Sequence, residues 1–245
     1  MKGLILAAGF GKRLQPLTNK IPKSMVEING EPLLVHTLNI LSGCGIKEIG
    51  IVVGHLADYI KERIGYSWNG VQIKYFENEE YETTNNVFSM YKAMSFFDDD
   101  VILSECDIYY KRDLIEKVVA DDSECSIVVS PFNPDTMDGT VIRVFKNKAI
   151  ELILGKWQGA DFNYADCQKT VNVYKFSKGF IQEKFAPLLK WYVEKMGKNS
   201  YYEKILGSLI YYKECNINVV SVPETAWCEI DNLEDLEKAR NYFKD

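Results

Sequence analysis

The stretch from Leu4 to Met25, LILAAGFGKRLQPLTNKIPKSM, constrains this chain more than any other. Leu4, Ile5, Leu6, Ala7 and Ala8 form an apolar run of the kind found in a buried strand. The run breaks at Gly9-Phe10-Gly11, and the loop beyond carries Lys12, Arg13, Lys20 and Lys23. Glycines let backbone N–H groups come close to a ligand, and fixed cations supply charge for a polyphosphate. The whole chain has a formal charge of −6, so four cations within twelve residues point to a bound anion. The plainer alternative is a tight turn with solvated charges. Two familiar phosphate loops do not fit. The pattern G-x-x-x-x-G-K-[ST] is absent, and the third glycine of G-x-G-x-x-G would fall at Leu14, which disfavours a dinucleotide dehydrogenase.

With 245 residues the chain can bury a sizeable core in one domain, residues 1–245. Within it, 1–125 read as a nucleotide-binding half and 126–245 as an acceptor-binding half. A pI near 5.2 with no extended basic stripe argues against nucleic acid. No apolar run approaches membrane-spanning length and the N-terminus opens on a core strand, so a cytoplasmic protein without membrane insertion is expected. Cys44, Cys106, Cys125, Cys167, Cys215 and Cys228 show no CxxC pair or metal-ligand spacing and read as small hydrophobes. His36 and His55 are too few for a His metal site or a Ser-His-Asp triad, and His36 sits in an apolar helical pattern.

In chain order, strands are expected at Leu4–Ala8, Met25–Ile28, Ile49–Val53, Val71–Phe76 and Val101–Leu103. Helices are expected at Glu31–Leu41, Leu56–Ile64 and Val87–Phe97. This alternation predicts an α/β fold with a Rossmann-like, mostly parallel sheet and helices on both faces. Ligands of such sheets bind at strand carboxyl ends, where the glycine loop and Asp107 both fall. Ser126–Ser130, Gly139–Phe145, Ile150–Leu154 and Thr170–Phe176 then suggest a small antiparallel extension. Helices over Phe180–Met196 and Tyr201–Tyr212, a strand at Ile217–Val222 and a closing helix at Leu233–Phe243 complete the reading.

The pattern AAG-x-G-x-R-L-x-P-x-T-x-x-x-P-K-x-M, spanning roughly twenty positions from Ala7 to Met25, resembles the signature of nucleotidyltransferases. These are the NDP-sugar pyrophosphorylases and their cytidylyltransferase relatives. The resemblance implies the nucleotide-diphospho-sugar transferase fold, with Arg13 on the β- and γ-phosphates and Lys23 on the α-phosphate as the catalytic cations. It further implies nucleotide contacts from Leu6, Ala7, Ala8, Gly9, Gly11, Asn78, Thr84, Asn85 and Cys106. Mg²⁺ would lie between Asp107, after the L-x-x-x-D strand, and Asp231 late in the chain. A helix-cap role for Asp231 before Asn232 is the alternative. Capping by Thr84 or Asn85 likewise competes with base contact.

Several segments look more like phosphocholine-type cytidylyltransferases than sugar enzymes. Cys106-Asp107 replaces the usual Gly-Asp, and Thr170–Tyr174 lacks the Thr-Gly of the sugar-binding segment, while TTNN-x-x-S-M and W-x-E-I-D match. The resemblance implies an acceptor site at Asn172, Trp227 and Glu229. Trp157, Asp161, Phe162, Tyr164, Asp166 and Trp227 offer the residue types of a cage for an amine head group, or simple surface packing. The expected partners are an NTP, with CTP favoured, and a small phosphorylated acceptor; a homo-oligomer is compatible with the sequence. The alternatives are a sugar-1-phosphate nucleotidyltransferase using UTP, dTTP or GTP, and a nucleotide-sensing or assembly subunit of the same fold.

Overall fold

A computed structural model describes residues 1–244. Strand β1 (Lys2–Ala7) is buried along its length and runs into the glycine turn. Three single 3₁₀ turns at Lys12–Leu14, Leu17–Asn19 and Lys23–Met25 carry the cationic loop. A hairpin of β2 (Glu27–Ile28) and β3 (Glu31–Pro32), turned at Asn29-Gly30, leads into α1 (Leu33–Gly43). Then follow β4 (Glu48–Val53), α2 (Ala57–Ile64), β5 (Ser67–Trp68), β6 (Val71–Glu77), α3 (Asn86–Lys92) and β7 (Val101–Glu105). Residues 108–120, where the sequence predicts no element, form β8 (Ile108–Tyr110) and α4 (Arg112–Ala120). The second half holds β9 (Cys125–Pro131), β10 (Val141–Phe145), β11 (Lys148–Ile153) and β12 (Cys167–Phe176). It ends with α5 (Lys178–Phe180), which continues through a π-helical turn into α6 (Ala186–Met196), and then α7 (Glu203–Tyr211), β13 (Asn218–Ser221), β14 (Trp227–Glu229) and α8 (Leu233–Tyr242).

Ten strands share one sheet in the order β10-β11-β13-β9-β12-β7-β1-β4-β6-β5. β7, β1, β4 and β6 are mutually parallel, as the βαβ alternation predicts. β12 joins antiparallel to β7 and continues into β9 and β10, so the antiparallel part grows out of the same sheet. It is larger than the sequence suggested. The uninterrupted apolar character of β1 follows from burial on both faces. Leu4, Leu6 and Ala8 pack in the layer that includes Val87, Phe88, Phe185 and Leu206, whereas Ile5 and Ala7 face the layer of Leu38, Ile60 and Leu114. Helices therefore cover both sides, and the glycine turn emerges at the sheet's carboxyl rim beside the end of β7.

A separate two-stranded ribbon pairs β8 with β14, placing Glu229 opposite Ile108. The Ile230 amide donates to the Asp107 carbonyl at 2.9 Å. This ribbon joins the late acidic segment to the end of β7, a contact no local pattern revealed.

Candidate active site

A cleft of about 560 Å³ opens at this rim, lined on one side by Gly9, Gly11, Lys12, Arg13 and Lys23. Gly11 adopts φ 69°, in the left-handed region, and a Cβ there would lie 2.8 Å from the Lys23 Cβ. Glycine is thus what lets the loop close over Lys23. The Thr18 hydroxyl fastens the turn by donating to the Gly11 carbonyl at 2.8 Å.

Lys23 is the centre of the cleft's charge. Its Nζ donates to Asp107 Oδ2 at 2.6 Å and to Asp231 Oδ1 at 2.8 Å. Arg13 reaches the same Asp231 oxygen at 2.8 Å, but its side chain is mostly exposed. Burial works against the Lys23 ammonium, yet the two carboxylates outweigh it and hold the group above the ordinary lysine range. Asp231 is likewise pushed up by burial but ends below its ordinary value because of Lys23 and Arg13. The capping alternative for Asp231 is answered by its neighbour. Asn232 caps α8, accepting from the Glu234 and Asp235 amides, and Asp235 returns the bond to complete a capping box.

The donor set suits Mg²⁺. Two carboxylates converge on one ammonium, and the buried Asp107 Oδ1 has no hydrogen-bond partner among the described residues. No group of three His, Cys, Asp or Glu able to hold a metal occurs among the described residues. A metal here would therefore need substrate phosphate oxygens to complete its shell, as Mg²⁺ commonly does.

Of the other expected nucleotide residues, Leu6, Ala8, Asn78, Thr84, Asn85 and Cys106 line the cleft. The Ala7 side chain does not; it faces the opposite core layer, because successive residues of a strand point to opposite faces. Asn78 is 2% exposed, and its amide binds Thr84 Oγ1 at 3.0 Å, Ser89 Oγ at 3.3 Å and the Glu80 N–H at 3.1 Å. It pins the loop that Thr84 and Asn85 sit on. Asn85 caps α3 by accepting from the Asn86 amide while also lining the cleft. Cys106 is buried and its thiol is raised by that burial, so it offers no ready nucleophile.

At the end of the cleft expected to take the acceptor, Asn172 and Glu229 line the wall, but Trp227 does not. Opposite Tyr110 on the ribbon, Trp227 packs into the core with 6% exposure. The aromatic cage is not formed either. Trp157 is exposed, Phe162 and Tyr164 meet edge to face with ring centroids 4.8 Å apart, and Asp161 and Asp166 lie off the cleft. The aromatic residues lining the cleft are Tyr81 and Tyr201.

Three glutamates and a lysine that sequence reasoning missed, or placed incompletely, dominate this end. The Asn86 side-chain amide bridges Glu105 Oε1 at 3.1 Å and Glu203 Oε2 at 3.4 Å, and the Tyr202 hydroxyl donates to Glu105 at 2.9 Å. Lys169 pairs with Glu229 at 3.1 Å. Burial pushes Glu203 up to about 7, and it raises Glu105 well above the ordinary range, with Asp107 and Glu203 adding to it. Glu229 is also raised by burial, with Lys169 opposing. The only local signals were an acid at the end of an apolar strand (Glu105) and a lysine inside one (Lys169).

A pH dependence follows. Between the ordinary glutamate value of 4.5 and about 7, Glu203 keeps its proton in the folded chain and loses it in the unfolded one. Stability therefore falls as pH rises through that window and levels above it. Glu203→Gln is expected to flatten this fall, read as the difference between the two Tm profiles from pH 5 to 8. Parallel profiles would show that Glu203 ionises alike in both states.

The fold and the cleft define an enzyme that handles a polyphosphate beside paired carboxylates. The comparisons agree. The model of the nucleotidyl transferase family matches residues 2–244, and the chain belongs to that family and is a nucleotidyltransferase. It is 33% identical over 258 residues to a CTP:phosphoglutamine cytidylyltransferase of Campylobacter jejuni, covering 97% of this chain and 98% of that one. It is 30% identical to a CMP-5'-(3-aminopropyl)phosphonate synthase of Streptomyces rubellomurinus, covering 98% of this chain but only 38% of that relative's length. Among solved structures, a CTP:phosphocholine cytidylyltransferase from Streptococcus pneumoniae superposes with a TM-score of 0.77 at 23% identity, covering 99% of each chain, which shows the fold. No helix among the described residues is long and apolar enough to cross a membrane.

Proposed function

We propose that this enzyme transfers the CMP moiety of CTP, with Mg²⁺, to a small phosphorylated or phosphonylated acceptor carrying an amine. The observation that carries this reading is the convergence of Asp107 and Asp231 on the Lys23 ammonium, at the foot of a glycine turn. Nucleotidyl transfer needs little covalent help from the protein. An oxygen of the acceptor phosphate attacks the α-phosphorus, the bond to the β-bridging oxygen breaks, and pyrophosphate leaves. The acceptor is already an anionic nucleophile, so positioning and charge stabilisation supply the acceleration. When bound, Mg²⁺ at Asp107 and Asp231 supplies charge neutralisation for the phosphates. Lys23 then moves from carboxylates to the α-phosphate, Arg13 swings onto the β- and γ-phosphates, and the glycine-turn amides approach the same groups.

The amine assignment is supported by Glu105, Glu203 and Glu229 at the acceptor end and by relatives whose names include aminopropylphosphonate and phosphoglutamine. An acidic wall without an aromatic cage suits an ammonium that donates hydrogen bonds better than a quaternary one, and the arriving cation would favour the ionised form of these buried glutamates. The nucleotide choice rests on the Thr84-Asn85 loop and the cytidylyltransferase relatives. Thermal-shift titration with CTP, UTP, GTP and ATP in Mg²⁺ tests it, since selective ligands raise stability by mass action. CTP is expected to give the largest shift, with UTP behind. A larger shift with GTP or ATP would overturn the CTP assignment and leave the family intact.

A further inference from the structure

Two anions meet in nucleotidyl transfer, and the cations of the glycine loop serve only one of them. Arg13 and Lys23 face the cleft from the nucleotide half. The acceptor half contributes Lys156, which is exposed at the rim, and Lys169, which is 3% exposed in the cleft wall. A buried ammonium is costly unless its three N–H donors are satisfied. Among the described residues Lys169 Nζ pairs with Glu229 Oε2, at 3.1 Å.

The surroundings of this ammonium are built to leave it room. Gly139 has φ 89°, and a Cβ there would lie 2.8 Å from Lys169 Nζ, so any other residue would crowd the ammonium. Along β12 the pairing with β9 shifts between Thr170 and Tyr174, and Asn172 within the shift has φ 57°. In a regular strand residues 169 and 172 would face opposite sides. The irregularity turns both into the cleft, as bulges near active sites do. Asn172 is 9% exposed, its Oδ1 accepts from Thr170 and Tyr174 at 3.4 Å each, and its Nδ2 donates to no other described residue. One strand thus offers a buried ammonium and a free amide N–H to the cleft that Lys23 also lines.

We infer that Lys169, with the Asn172 amide beside it, seats the phosphate of the acceptor. This rests on the transfer reading above and adds the residue that holds the second anion. Glu229 keeps the ammonium in place while the seat is empty, and the incoming phosphate takes up the remaining donors. A purely structural role would make Lys169 only the counter-ion of a buried Glu229.

The two roles separate in a double variant. Lys169→Met alone strands Glu229 and could perturb the fold, whereas Lys169→Met combined with Glu229→Gln leaves neither charge behind. The probe is inorganic phosphate, titrated by ³¹P line broadening against protein saturated with α,β-methylene-CTP and Mg²⁺. Wild type is expected to bind phosphate saturably. The double variant is expected to bind it on the order of tenfold more weakly or worse, since a charged hydrogen bond is lost. Its thermal shift with the CTP analogue should match that of the wild type. Glu229→Gln alone should retain phosphate binding. Phosphate bound by the double variant within about twofold of wild type would reduce Lys169 to a counter-ion, as would no saturable phosphate binding beside a normal nucleotide shift. Absence of the nucleotide shift in wild type would bring down the transfer reading and this seat with it.

Discussion

Asp231→Asn is expected to reduce turnover at a fixed, low millimolar Mg²⁺ concentration by on the order of ten- to a hundredfold, with little change in Tm. Asparagine keeps the shape of the side chain but removes its charge from the pair that faces Lys23. The helix that follows loses nothing, because Asn232 and Asp235 make the cap. The deficit should shrink as Mg²⁺ is raised, and Asp107→Asn should behave alike. Titrating pyrophosphate release against Mg²⁺ for the two variants measures this. A silent Asp231→Asn would return that residue to a structural role beside Arg13.

Lys23→Met should do more, because it removes the proposed phosphate contact and unbalances the cleft together. Charged hydrogen bonds to phosphate are worth about 1.5–3 kcal/mol each, so turnover should drop by about tenfold to a hundredfold or beyond. The substitution also leaves Asp107 and Asp231, with 17% and 16% side-chain exposure, facing each other without their shared cation. Removing one partner of a buried ionic group costs on the order of 3–5 kcal/mol, less here because Arg13 and water reach Asp231. The Tm of Lys23→Met should therefore be lower than that of wild type in EDTA and recover more on adding Mg²⁺. Equal Mg²⁺ responses in both proteins would mean that the aspartates do not share one cation site.

The nucleotide half was legible because its signals are local. An apolar run, two glycines, Arg13 and Lys23 lie within one stretch, and Asp107 ends a strand of the same alternating series. Asp231 was legible only through its resemblance-borne motif. What brings it to Asp107 is the β8–β14 ribbon, made of two three-residue strands whose partners are more than a hundred positions apart. Trp227 was misplaced for the same reason: paired opposite Tyr110, its ring packs in the core, while Glu229 at the far end of the short strand lines the cleft. The acceptor half was the least readable. Glu105, Glu203 and Lys169 lie on a strand end, a helix and a strand that meet only once β12 threads between β7 and β9, and a lone charge in an apolar strand announces burial without saying against what. Asn172 followed from the resemblance alone: asparagine adopts positive φ more readily than most residues, yet nothing in the apolar strand around it marks this one as doing so.

The proposed function makes Arg13, Lys23, Asp107 and Asp231 one centre for nucleotidyl transfer from CTP. Pyrophosphate release measures it most directly, with CTP, Mg²⁺ and a panel containing phosphoethanolamine, 2-aminoethylphosphonate, phosphocholine and glucose-1-phosphate, the product being identified by mass. The expected result is Mg²⁺-dependent release with an amine-bearing phosphate or phosphonate, one CMP-linked product per pyrophosphate, and at least tenfold loss in Lys23→Met and Asp231→Asn. Release that is insensitive to both substitutions, or UTP-dependent release with glucose-1-phosphate and none with CTP, would contradict it.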